Sequence, residues 1–164
     1  MKSLPPRVFI AAAALDAVLR AHKAAVGGPK EPCGLMLGHV DGARIHIAEV
    51  RVLENVHPSP ERAFLLPATG AVAAAREARE RGLAVIGVWH GHLRGLACLS
   101  ESDAAGLASA ARGSAARASE TPYVFLVSGQ GAGTSVIVRA FAHLRARPRE
   151  MRLDMLLPSK AKSA

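Results

Sequence analysis

Aromatic residues are scarce in this chain: one Trp, one Tyr and four Phe among 164 residues. A core of stacked rings is thereby excluded, and Val, Leu, Ile and the 33 Ala residues must fill the interior. Cysteine is equally sparse, and Cys33 and Cys98 make no disulfide framework, which fits a reducing compartment. No apolar run reaches the roughly 18 residues that a membrane span needs. The nearest imitation of a leader is Lys2 and Arg7 followed by the apolar stretch Val8 to Leu15, but Asp16 and Arg20 interrupt it and an amphipathic pattern follows. The cytoplasm is therefore the expected compartment. Charged residues make up only 21%, and aliphatic stretches recur throughout, which argues against low-complexity disorder. This length suits one domain, expected over residues 1–157, with a frayed tail at 158–164.

Acidic residues are outnumbered 13 to 21 by basic ones, giving a formal charge of +8, and 16 of the basic residues are Arg. Such a balance invites a nucleic-acid or acidic-surface partner. The arginines are scattered, however, apart from Arg139, Arg145, Arg147, Arg149 and Arg152. Nucleic acid is the weaker reading, and an acidic protein partner fits the charge at least as well.

Hydrophobic periodicity organises the chain. Val8 to Ile10 starts a short strand, and Leu15, Val18, Leu19, His22 and Val26 recur at helical spacing until Gly27-Gly28-Pro29 stops them. Residues 34–38 and 44–53 read as two strands around the Asp41-Gly42 turn. The proline-rich stretch 55–67 is loop, and a helix follows over about 69–81 with Gly82 as its C-cap. Residues 84–89 form a buried strand, 93–99 a loop, and a third helix runs from near Ser100 to Gly113. Two more strands, 122–127 and 134–141, are joined by a flexible segment at Gly129–Gly133. Met151 to Leu156 alternates weakly, as an edge strand does. Strands and helices mixed without strict alternation place the chain in the α/β or α+β class.

The chemistry concentrates at the end of the buried strand. In His90-Gly91-His92 the two imidazoles sit at i and i+2 of a strand, on one face, where both can reach one ion. Neutral nitrogen ligands at this spacing suit zinc. Downstream, Ser100-Glu101-Ser102-Asp103 has the form of a capping box, with Ser at the N-cap and Asp at N3. The same helix start can bring Asp103 to the strand end as an oxygen ligand. Three protein ligands leave one tetrahedral position for water, as in catalytic zinc sites. Glu31, opening the strand after Pro29, is a candidate general base.

Together, Glu31 in the context Glu-x-Cys-Gly-Leu-x-Leu-Gly and the spacing His90-x-His92-x7-Ser100-x-x-Asp103 resemble the JAMM motif of MPN-domain zinc metalloproteases. The resemblance extends over about residues 7–142 and implies a curved, mixed β-sheet flanked by helices. It implies that His90, His92 and Asp103 bind one zinc ion, that Glu31 moves the proton, and that Ser100 hydrogen-bonds the developing oxyanion. The implied activity is that of a zinc-dependent peptidase or isopeptidase, cutting after the C-terminal Gly-Gly of a ubiquitin-like or sulfur-carrier protein. The alternatives are an inactive MPN-type interaction module and a nucleic-acid-associated protein. Gly91, Leu93 and Leu99 depart from the residues common in the family, and Gly91 is expected to leave room for a substrate backbone. Trp89 is expected to pack, Cys33 to be a buried small hydrophobe, and Cys98 to be at most an adventitious ligand. The remaining histidines, His22, His39, His46, His57 and His143, are read as ordinary core or surface residues.

Overall fold

The computed structural model describes residues 6–116, 122–144 and 147–156, and for 113–116 the backbone alone. Its elements are β1 (Arg7–Ala11), α1 (Ala12–Ala25), β2 (Cys33–Asp41), β3 (Arg44–Leu53), α2 (Ala68–Glu80), β4 (Ala84–Gly91), α3 (Glu101–Ala116), β5 (Val124–Gln130), β6 (Val136–Leu144), β7 (Arg147–Met151) and β8 (Leu153–Leu156). The eight strands form one mixed sheet in the order β7-β6-β5-β4-β2-β3-β1-β8. β1 runs parallel to β3 and β8, β4 runs parallel to β5, and the other neighbours are antiparallel. The class is α+β, with the sheet curled as expected.

The curl is visible in the last two strands. β7 pairs with β6 at one edge and β8 with β1 at the other, yet only Arg152 separates them. The Arg152 carbonyl accepts a hydrogen bond from the Val8 amide at 3.0 Å, so the two edges meet at this residue. The expected single edge strand at Met151–Leu156 is therefore two strands. Met151 turns into the core, and Pro148 with its flanking arginines hides the first strand from a hydrophobicity reading.

Two apolar clusters lie on opposite faces of the sheet. In the concavity, α1 lays the stripe Ala14, Val18 and His22 against the strands, and Ala14 and Val18 join Val8, Ile10, Met36, Ile45, Ile47 and Leu126. On the convex face, Ala74 and Ala78 of α2 and Leu107 of α3 cover Leu35, Leu37, Val88, Phe125 and Val127. Helix α2 ends as its sequence predicts. Gly82 has φ +72°, its amide donates to Arg79, and the Leu83 amide donates to the Ala78 carbonyl, the two bonds of a Schellman cap. Helix α3 continues to Ala116, three residues past its expected end. The tail at 158–164 lies outside the described residues, and no helix among those described is long and apolar enough to cross a membrane.

Candidate metal centre

Strand β4 is central, hydrogen-bonded to β2 on one side and β5 on the other, and both its faces are covered, Ile86 and Trp89 in one apolar cluster and Val88 in the other, which is why it is apolar on both. His90 sits between Cys33 and Val127 in register and is fully buried. Its ring stacks on Phe64 at a centroid distance of 4.5 Å and meets the edge of Phe125 at 6.3 Å. His92 follows the strand end on the same face, partly buried, its amide donating to the Ser128 carbonyl at 2.8 Å.

Helix α3 starts beside this strand end. Ser100 caps it by accepting the Asp103 amide at 3.1 Å, and Asp103 Oδ2 accepts the Ser100 amide at 2.8 Å, so the capping box is real. The same arrangement delivers the carboxylate to the histidines. His90 Nε2 lies 3.2 Å from Asp103 Oδ1, His92 Nε2 lies 3.2 Å from Oδ2, and the two Nε2 atoms are 3.1 Å apart. Capping and ligand delivery are one geometry.

Electrostatics match this chemistry. Burial drives His90 toward the neutral imidazole, the ligand form. A hydrogen bond with Asp103 raises His92. Burial works to raise the Asp103 carboxyl, but hydrogen bonds with His90 and His92 and from the Ser100 amide hold it well below the usual carboxylate range. Three potential electron-pair donors thus converge on one point, and His90 Nδ1 is buried without a hydrogen-bond partner among the described residues. Donor atoms about 2.0–2.1 Å from one tetrahedral ion lie about 3.3 Å apart, close to the spacings found. His92 Nδ1 is 3.0 Å from the Leu96 carbonyl, which fixes the proton there and turns the Nε2 lone pair inward. The residues fit a zinc-type cation.

Glu31 opens onto the same cleft as His92, a space of about 400 Å³ also bordered by Gly28, Pro29, Arg94 and Gly95. It is only 8% exposed, and burial pushes its carboxyl up to about 7, against a smaller opposing pull from His92. Its backbone is fastened to the loop 55–67: its amide donates to the Pro60 carbonyl at 2.8 Å, and its carbonyl accepts Asn55 Nδ2 at 3.0 Å. Asn55 also donates to Ala63 and accepts the amides of His57 and Leu65. Residue patterns did not single out Asn55 or Phe64 as site residues. A buried Asn amid prolines was the available signal for the first; the second is seen only through tertiary contact.

One expectation is corrected. Gly91 does not leave room for a substrate backbone. A Cβ there would lie 2.7 Å from His22 Nδ1 and 2.8 Å from Pro32 Cγ and Ser128 Oγ, because the residue faces the concave side, away from the cleft. His22 is a core histidine, as expected: it is buried and hydrogen-bonded to Ser128 Oγ at 2.7 Å, which also accepts the Trp89 indole N–H at 3.0 Å. Trp89 and Cys33 are packed as expected, and burial lifts the Cys33 thiol to about 11. Cys98 is exposed and outside the His90, His92, Asp103 group, the one such group among the described residues. Leu93 borders the cleft, whereas Leu99 packs on the convex core.

A curled mixed sheet with a His-His-Asp constellation where a central strand meets a helix start defines the class: an α+β domain of JAB/MPN architecture. Residues 12–144 match the family described as prokaryotic homologs of the JAB domain, and the chain belongs to that family. It is 35% identical over 75 residues to a Thermus thermophilus protein named as a probable TtuB-protein conjugate cleaving protease, a stretch covering 46% of this chain and 47% of that one. The chain thus spans about half the length of the curated relative it matches. The fold is shared with the solution structure of a Desulfitobacterium hafniense protein, at TM-score 0.72 and 20% identity over 92% of this chain and 94% of that one.

Proposed function

We propose that this domain is a zinc-dependent peptidase or isopeptidase that cuts the amide bond after the C-terminal Gly-Gly of a ubiquitin-like or sulfur-carrier protein. The observation that carries this reading is the convergence of His90 Nε2, His92 Nε2 and the Asp103 carboxylate within 3.2 Å, with Glu31 on the adjoining cleft wall. His90, His92 and Asp103 would hold the ion. Zinc, when bound, supplies Lewis acidity, lowering the pKa of water to about 7 and polarising a carbonyl.

The remaining work falls to the chain's own groups. Glu31, with a carboxyl near neutrality, accepts a proton from the attacking water and returns it to the leaving amine. Ser100 is exposed, and its oxygen accepts the Asp103 amide, leaving its O–H free to donate to the developing oxyanion. Gly28, Pro29 and Gly95 leave part of the cleft wall low, between the longer Glu61, Arg62 and Arg94, which suits an extended tail without side chains. The relative's named target, a TtuB conjugate, is of the same chemical kind in this reading.

The test is a panel of ubiquitin-like and sulfur-carrier fusions joined through Gly-Gly, incubated with zinc-loaded protein. Cleavage after the second glycine, abolished by chelator and by Glu31→Gln, is the expected result. Cleavage that persists in Glu31→Gln removes the glutamate from the mechanism, and no cleavage of any fusion by demonstrably loaded protein contradicts the substrate class.

A further inference from the structure

The segment joining β5 to β6 was expected to be a flexible glycine link. Instead β5 continues in register with β6 through Ser128, Gly129 and Gln130, and each of these residues touches the loop that follows His90. The Ser128 carbonyl accepts the His92 amide at 2.8 Å. The Gln130 amide donates to the Gly95 carbonyl at 2.8 Å, and its side-chain amide reaches the Leu93 carbonyl at 3.4 Å. Between them, the loop backbone rests on Gly129: a Cβ at that position would collide with the backbone of Leu96 and Ala97 and lie 2.8 Å from the Gly95 oxygen. Leu96 is the residue whose carbonyl faces His92 Nδ1 at 3.0 Å.

We infer that Ser128-Gly129-Gln130 is a positioning element for His92, a seat that lays the loop 93–97 flat so that the Leu96 carbonyl selects the imidazole nitrogen presented to the metal. This rests on the metal reading proposed above. The seat acts on His92 twice, through its backbone amide and through the carbonyl opposite the ring's Nδ1. The side-chain layer beneath it is equally specified, since Ser128 Oγ is held between His22 Nδ1 and the Trp89 indole. Gly129 is then required as glycine for close approach of two backbones rather than for freedom of φ. An added methyl group must lift the loop, draw the Leu96 carbonyl from Nδ1 and release the tautomer.

Cobalt(II) titration of the full chain, read from its visible absorption bands and by chelator competition, tests this. The wild-type protein is expected to bind one cobalt ion with the intense bands of a four-coordinate site. Gly129→Ala, folded by circular dichroism, is expected to bind about 10- to 100-fold more weakly with altered bands. Gly38→Ala serves as comparison, because its Cβ would collide with the His46 carbonyl at the far end of the sheet. It should lower the melting temperature while leaving the cobalt bands unchanged. A folded Gly129→Ala with wild-type affinity and bands overturns the inference while the metal reading stands, whereas failure of the wild type to bind cobalt overturns both. If Gly129→Ala does not fold, amide exchange in the wild type decides: the seat requires the Gln130 and His92 amides to be protected like that of Leu126, and exchange at exposed-loop rates refutes it.

Discussion

Replacing Asn55 with alanine removes the side chain that ties the loop 55–67 to the metal centre. Asn55 is 4% exposed; its amide donates to the carbonyls of Glu31 at 3.0 Å, Ala63 at 2.9 Å and Pro60 at 3.3 Å, and its oxygen accepts the amides of His57 at 3.0 Å and Leu65 at 3.1 Å. A buried donor or acceptor left unpaired costs about 1–3 kcal/mol. Most of these groups lie near the surface, where water can replace the lost partner, so the sum is far below five such penalties. The expected loss is about 3 kcal/mol, a fall in melting temperature of roughly 6–12 °C for a chain of this size. Two functional groups move with the loop: Glu31 loses one of its two backbone anchors, and Phe64 loosens from the face of His90. Urea denaturation gives the stability, and turnover of a cleavable Gly-Gly fusion gives the consequence, expected to be at least a tenfold fall. A loss under about 0.5 kcal/mol, with turnover intact, refutes the claim that Asn55 holds the base in place.

Other consequences follow from single groups. Burial raises the Glu31 carboxyl from 4.5 to about 7, so the native state retains a proton that the unfolded chain has released between these values. Stability of metal-free protein therefore falls as pH rises through that window and levels off above it. Glu31→Gln has no such loss and should exceed wild type at pH 8 by at most about 3 kcal/mol, the advantage vanishing below pH 4.5; equal pH profiles in chelator-treated urea melts contradict the shift. Ser100→Ala should lower turnover about 10- to 1,000-fold while metal content is retained, as measured by steady-state kinetics and elemental analysis; unchanged kcat excludes the oxyanion role. Trp89→Phe leaves the ring volume nearly filled but deletes the indole donor to Ser128, and should cost about 1–2 kcal/mol in denaturant unfolding with the fold intact.

The sheet order follows from tertiary contacts, but most of its strands are written in local patterns. The continuous apolar run to Trp89 announces a strand covered on both faces, and Gly82 marks the end of α2 through its left-handed φ. Spacing made His90, His92 and Asp103 candidates, because a strand's two-residue period and a capping box both fix geometry over short distances, but only the resemblance of the whole motif joined them into one site. Glu31 was a candidate from its place before a strand, but its role came from the resemblance, since its approach to His92 depends on how β2 lies beside β4. What remained hidden is non-local. The His22–Ser128 bond spans 106 positions, the seat on Gly129 is seen only when β5 lies beside the loop, and the division of the last strands depends on a curl that brings both sheet edges to Arg152. Gly91 shows how such contacts reverse a reading: its smallness serves the packing of His22 and Ser128 behind the strand, not the cleft in front.

The central claim is that His90, His92 and Asp103 hold a metal ion. Elemental analysis of tag-free protein, after zinc loading at neutral pH and removal of excess, tests it most directly when run beside His92→Ala. The account predicts about one zinc per chain in the wild type and loss of that zinc in the variant. No zinc in either, or equal zinc in both, contradicts it.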